Sequence, residues 1–308
     1  MKVLTLPSGV HSALWTPSLA SGKLNVTGLR TLTVGLAGAG VQGFLVLGTT
    51  GEFPLLKMSE RLKAIEAVVR GAHGLPVTVN VSDIRPDRAM DLAAAASSAG
   101  ATAIAIMPPL FFPHTQDDIL EYLLAVASKT NLPIVLYNFQ ERCGNNLEAE
   151  TVARFIRRHP IAGFKQSGGR WEFLQELVVL GRKHHFPVFT GADTRLAEAL
   201  KLGAAGCVSG LSNFAPELLV GVHSAVDRGD EATARRLTGR LQEIGKLCDQ
   251  LSYPLCVVSG LAARGFDPGL SRQIYSQKSK TACRQLERQL RTRFRQWGLP
   301  IQQPQLAK

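Results

Sequence analysis

The sequence predicts a (β/α)8 barrel with a C-terminal helical extension, and three observations carry that expectation. Short apolar runs recur along the chain, each is followed by a helical segment, and the runs number eight. Strands apolar on both faces belong to a parallel sheet buried on both sides. Strands alternating with helices make β/α units, and eight units favour a closed barrel over a doubly wound sheet.

The elements follow in order. A first strand falls near 10–14. Strand 43–47 precedes a helix opening at Ser59-Glu60-Arg61-Leu62, strand 76–81 a helix over 87–98, and strand 102–106 a helix over 116–128. Strand 133–137 is followed by helix 147–158, strand 161–165 by helix 171–183, strand 187–190 by helix 194–202, and strand 206–209 by helix 216–226. The barrel therefore takes 1–228. Region 229–308 reads as helices over 231–251, 254–264 and 279–297, packed on the barrel as one structural unit, with a frayed tail at 302–308.

Gly38-Ala39-Gly40-Val41-Gln42-Gly43 spells G-x-G-x-x-G. A dinucleotide fingerprint follows a strand and opens a helix. Here the glycines close a helical segment and precede a strand, which suits a tight turn instead.

With 308 residues, 45% of them hydrophobic, the chain can close one large core. No stretch reaches the ~18 uninterrupted apolar residues of a membrane helix, and residues 1–10 lack the apolar region of a signal peptide. Cys143, Cys207, Cys248, Cys256 and Cys283 are odd in number and form no C-x-x-C pair, so a reduced, cytoplasmic chain without structural zinc is expected. Asn25-Val26-Thr27 spells a glycosylation acceptor that has no meaning without a secretory route. The net charge is +11, and much of the excess sits late, at Lys278, Lys280, Arg284, Arg288, Arg291, Arg293 and Arg295, opposed locally only by Glu287. A solvated helix face explains this better than nucleic-acid or membrane binding. A basic barrel also attracts small carboxylate substrates.

A barrel of this kind carries its active site at the C-terminal ends of the strands. The polar residues there are Thr16, the Gly48-Thr49-Thr50-Gly51-Glu52 loop, Asn80, Asp83, Tyr137-Asn138, Lys165, Asp193 and Ser209. Lys165 ends an apolar strand, where an unpaired amine loses solvation and its pKa falls. A neutral amine can attack a ketone and form an imine, although a strand-end lysine can also simply reach solvent. The loop from Gly48 has two hydroxyls framed by glycines, which suits a carboxylate but also an ordinary turn. Tyr137 can move protons near an imine, or it can be a half-buried tyrosine with a satisfied hydroxyl. Arg142 can clamp a second carboxylate or lie free on the surface.

Three motifs now carry a resemblance that covers nearly the whole chain. Gly48-Thr49-Thr50-Gly51-Glu52 matches G-[ST]-T-G-E. The run Tyr137-Asn138-Phe139-Gln140-Glu141-Arg142-Cys143-Gly144 resembles Y-N-x-P-x-R-T-G, and Gly163-Phe164-Lys165-Gln166-Ser167 resembles G-x-K-[DEQ]-[ST]. The sequence resembles the dihydrodipicolinate synthase / N-acetylneuraminate lyase superfamily of Schiff-base, pyruvate-dependent aldolases. That resemblance implies an imine between Lys165 and pyruvate or another 2-keto acid, with Tyr137 as general acid/base and Thr49 linking it to a proton relay. It implies carboxylate binding by Thr50 and nearby backbone amides, including Gly48 and Gly51, and places Ser167, Gly191, Asp193 and Val208 around the pocket. A homotetramer, or at least a dimer, and no metal or organic cofactor are also implied.

Two departures matter. The family often has a tyrosine in the strand-four loop that reaches a neighbouring subunit's relay. Here Met107-Pro108-Pro109-Leu110-Phe111-Phe112-Pro113 offers Phe111, which cannot pass a proton. Gln140 and Cys143 replace the usual Pro and Thr beside Arg142. Gln166 is similar to the lyase side of the superfamily and Arg142 to the synthase side. The segment from Gly48 through Phe53-Pro54, with Ser167-Gly168-Gly169, resembles 4-hydroxy-2-oxoglutarate aldolases. The expected function is therefore an aldolase or lyase joining or cleaving pyruvate and an aldehyde. The synthase proper, a 2-keto-3-deoxy sugar acid dehydratase and a catalytically weakened keto-acid-binding protein are the alternatives.

Overall fold

Strands β1 (Gly9–Ala13), β2 (Gly43–Val46), β3 (Val77–Asn80), β4 (Ala103–Ile106), β5 (Ile134–Asn138), β6 (Ile161–Gln166), β7 (Val188–Thr190) and β8 (Gly206–Ser209) pair in sequence order, all in parallel, and β8 returns to β1. The computed structural model, which describes residues 5–301, is thus the closed (β/α)8 barrel that the apolar runs predict. The expected frayed tail at 302–308 lies outside the described residues. Each strand is buried along its whole length, as two-sided apolar runs require.

The covering helices are α1 (Val26–Gly38), α2 (Met58–Gly71), α3 (Pro86–Ser98), α4 (Gln116–Ala127), the short α5 (Gln140–Cys143), α6 (Ala149–Arg158), α7 (Trp171–His184), α8 (Leu196–Leu202) and α9 (Pro216–Asp227). Helix α4 shows why such segments start where they do. Thr115 Oγ1 accepts from the Asp118 N–H at 3.2 Å, and the Asp118 carboxylate accepts from the Thr115 N–H at 3.3 Å. The helix expected from residue 147 starts at Ala149, and the Leu147 N–H ahead of it donates to Asn138 Oδ1 at 3.1 Å. Helix α5 was not expected. The G-x-G-x-x-G run closes α1 and opens β2, as read from the sequence. A Cβ on Gly43 would strike the His11 imidazole, so that glycine serves strand packing.

One irregularity positions the chemistry. Ile134 pairs with Ile161 but Val135 with Gly163, so Ala162 is an extra residue on β6. This bulge sets the register that places Lys165 directly beside Tyr137.

Inside the barrel, Ala13, Leu45, Ala105, Val135, Phe189 and Val208 form a cluster separate from the larger core between strands and helices. His11 lies among them, 4.9 Å from Phe189 edge to face, with Nε2 donating to the Pro7 carbonyl at 2.8 Å. Burial pushes its imidazole down to about 4, against that hydrogen bond, which raises it. An unfolded histidine takes up its proton near 6.5, so between these values the unfolded state binds more protons than the folded one. The His11 contribution is full above pH 6.5 and falls by about 3 kcal/mol as pH drops toward 4. Urea melts at pH 7 and pH 4.5 should show wild type losing more stability than His11→Leu. Equal losses would contradict this.

The C-terminal region holds α10 (Glu231–Cys248), α11 (Leu255–Ala263) and α12 (Gln277–Gln296). Leu286, Leu290 and Phe294 form the buried stripe of α12, while Lys278, Lys280, Arg284, Arg288 and Arg295 lie on its exposed side. The basic run is opposed by more than Glu287, since Arg293 also pairs with Glu243 of α10. The connection between α11 and α12 straps back over the barrel. The Trp15 indole N–H donates to the Pro268 carbonyl at 2.8 Å, and Ser18 exchanges hydrogen bonds with Leu270. The region is fastened to the top of the barrel at several points.

Candidate active site

The site is built at the C-terminal ends of the strands, where the chain must turn sharply. After β2, Leu47 (φ 61) and Glu52 (φ 54) both adopt the left-handed conformation, and between them Thr49–Gly51 forms a 3-10 turn. Such residues cost about 1–3 kcal/mol each and persist only when their surroundings hold them. Asn80 holds the first by donating from Nδ2 to the Leu47 carbonyl at 2.8 Å. Glu52 is buried and accepts from the Ser271 hydroxyl, from the Arg272 N–H at 2.9 Å and from Gln273 Nε2 at 3.1 Å. The C-terminal strap therefore fixes the turn that presents Thr49 and Thr50.

Lys165 lies near the end of β6 and is 5% exposed, with its Nζ 4.0 Å from the centre of the Tyr137 ring. Tyr137, on the neighbouring strand, is 1% exposed, and its hydroxyl lies 3.3 Å from Thr49 Oγ1. Thr50 Oγ1 lies 2.5 Å from the hydroxyl of Tyr253. Asp193, in the turn after β7, keeps Oδ1 sealed from solvent with no hydrogen-bond partner among the described residues, while Oδ2 accepts from the Leu211 N–H at 2.9 Å. Burial pushes its carboxyl up to about 6. Hydrogen bonds from the Leu211 N–H and the Ser209 hydroxyl oppose that rise, as does the nearby Lys165 charge. Above that value Asp193 is an anion facing the lysine.

These groups share one cavity of about 290 Å³, which Ser167, Gly191, Val208 and Arg142 also line. A Cβ on Gly191 would collide with Ser167 Oγ, so a side chain there would displace that hydroxyl. Arg142 sits exposed on α5 with its guanidinium 5.9 Å from the Phe139 ring, and it makes no ion pair among the described residues. Glu141 anchors that short helix by accepting from the Gly169 N–H at 2.7 Å. A larger groove of about 710 Å³ runs between α8, α9 and α10, away from the lysine, and it brings no comparable set of groups together.

Other strand-end residues serve structure. Gly48 and Gly51 shape the turn and do not line the cavity, and a Cβ on Gly51 would meet Thr16 and the Leu14 carbonyl. Asp83 is paired with Arg61 at 2.7 Å, both side chains 5% exposed, and Asn138 is held by Asn146, Gln166 and the Leu147 N–H. Thr16 gives its carbonyl to Arg272 at 2.8 Å. Phe111 stands outside the cavity, 73% exposed at φ 78, beside Phe112 at 60%. Tyr253 and Phe139 line the cavity and were missed from sequence. Nothing in the helical pattern of region 229–308 singles out Tyr253, which lies on the connection between α10 and α11.

Fold and cavity together define a (β/α)8-barrel enzyme with a buried amine, a phenol and paired hydroxyls at its mouth. The model of the dihydrodipicolinate synthetase family matches residues 6–293. A 4-hydroxy-tetrahydrodipicolinate synthase of Hyphomonas neptunium is 33% identical over 235 residues, covering 76% of this chain and 80% of that one. A probable 2-dehydro-3-deoxy-D-pentonate aldolase of Escherichia coli K12 is 32% identical over 227 residues, covering 72% and 75%. Among solved structures, YagE, a prophage protein of the dihydrodipicolinic acid synthase family from Escherichia coli K12 in complex with pyruvate, superposes with a TM-score of 0.86. It is 26% identical, and the match covers 95% of this chain and 99% of that one. The chain belongs to the dihydrodipicolinate synthetase family, a family of lyases.

Proposed function

We propose that the protein is a class I aldolase or lyase that binds pyruvate or another 2-keto acid as an imine on Lys165. The observation that carries this reading is the buried Lys165 amine set beside Tyr137 in the cavity that Thr49 and Thr50 line. The amine attacks the ketone, Tyr137 delivers a proton to the leaving oxygen, and water departs as the imine forms. In the cleavage direction a base removes the proton from the substrate's 4-hydroxyl. The C3–C4 bond then breaks, its electron pair passes into the protonated imine as an enamine, and the aldehyde leaves. Protonation at C3 and hydrolysis release pyruvate. Thr50 holds the carboxylate, and Thr49 passes protons to and from Tyr137. The imine is made with the substrate itself, so the reading calls for no metal or organic cofactor.

A synthase and an aldolase are similar to this chain to nearly the same degree, so the preference between them rests on the site residues. Phe111 in place of a relay tyrosine favours the aldolase. Arg142, free at the mouth, suits a distal carboxylate. A coupled pyruvate-release assay on 2-keto acids with and without a distal carboxylate tests both points. Cleavage of at least one is expected, and Arg142→Ala should weaken only the dicarboxylates, by roughly tenfold or more. If no keto acid is cleaved while pyruvate and an aspartate-derived semialdehyde condense, the synthase reading replaces this one.

The exposed Phe111–Phe112 pair, with rings 5.0 Å apart, supports a subunit contact on this loop and a homotetramer, or at least a dimer. Sedimentation at micromolar concentration should show the oligomer, and a monomer alone would contradict it. All five cysteines are free thiols, which suits a reducing, cytoplasmic setting.

A further inference from the structure

We propose that Tyr253 is a positioning residue for the keto-acid carboxylate: its phenol donates to Thr50 Oγ1 and so turns the Thr50 hydroxyl proton into the cavity. This rests on the reading of Thr50 as a carboxylate donor and names the group that makes it one.

Tyr253 lies on the connection between α10 and α11, far in sequence from the other cavity residues. Its hydroxyl is 2.5 Å from Thr50 Oγ1. Gly210, just beyond β8, makes room for it, since a Cβ there would collide with the phenol oxygen. A threonine hydroxyl has one proton and can either donate it to a ligand or lose it to a neighbouring acceptor. Against a phenol, the more acidic partner, the threonine accepts and its own proton stays available. The phenol keeps its proton, because burial pushes it well above the ordinary tyrosine range and the Thr50 hydrogen bond offsets this only in part. The two hydroxyls thus act as a chain with one free donor end. A carboxylate lying over the Thr49–Gly51 turn meets an oriented donor rather than a freely rotating one. The polarity comes from the C-terminal region, which thereby shares in substrate recognition.

The test measures how much pyruvate gives half-maximal borohydride-trapped adduct on the full-length protein. Tyr253→Phe removes one oxygen and should raise that concentration roughly tenfold, the worth of one hydrogen bond to a charged group. The adduct at saturating pyruvate should be unchanged. Thr50→Val should weaken binding to a similar extent, and the double variant no more than Thr50→Val alone. Gly210→Ala, which displaces the phenol but keeps the tyrosine, should reproduce the weakening if Tyr253→Phe does not fold. Unchanged half-saturation in Tyr253→Phe, additive losses in the double variant, or a loss of adduct at saturation alone would overturn the proposal. If wild type gives no adduct, it is the imine reading that fails, and this proposal falls with it.

Discussion

Lys165→Ala should abolish imine formation and every turnover that depends on it, leaving a folded barrel. The side chain is buried at the mouth with its amine against the Tyr137 ring, and among the described residues no second lysine lines the cavity. Lys165→Arg should be equally inactive, although it keeps a positive charge opposite Asp193. A guanidinium stays protonated near neutrality and offers no neutral nucleophile. The arginine variant thus separates loss of the nucleophile from loss of charge. A Lys165→Arg protein that still turned over keto acids would mean that the lysine acts only electrostatically.

Tyr137→Phe should slow both imine formation and carbon–carbon cleavage by roughly a hundredfold or more, the usual worth of a positioned acid/base. The substitution keeps the ring that packs over Lys165 and removes only the hydroxyl that reaches Thr49. Far-UV circular dichroism should therefore be unchanged while single-turnover rates fall. Rates close to wild type would show that protons travel by another route. Phe111 cannot supply one, which makes Tyr137 with Thr49 the more exposed part of the mechanism.

The barrel was legible because its strands are buried on both faces, and continuous apolar runs such as 102–106 and 161–165 have few other homes. Lys165, Tyr137 and Thr49–Thr50 were legible because a polar residue that ends such a run must sit at the mouth. The same logic over-selected Asp83 and Asn138, whose partners Arg61, Gln166 and Asn146 are structural and come from elsewhere in the chain. The β6 bulge left no mark on the apolar pattern, because Ala162 and Gly163 are both small. Tyr253 and the strap that holds Glu52 were hidden for a different reason. They act across more than two hundred residues of sequence, and the helical periodicity of region 229–308 says which face is buried but not that a connecting loop reaches the site. Gly48 and Gly51 were named by motif, and the closeness of Leu14 and Thr16 to Gly51 is a packing reason for a glycine there that the motif does not show.

The central claim is a covalent bond between one lysine and a keto acid. Wild-type protein incubated with pyruvate and borohydride, digested and mapped by mass spectrometry, should carry one reduced pyruvyl adduct on the peptide containing Lys165. The adduct should be absent without pyruvate and absent in Lys165→Ala. An adduct on any other lysine, or none with pyruvate or any other candidate 2-keto acid, would contradict the account and leave the family resemblance describing the fold alone.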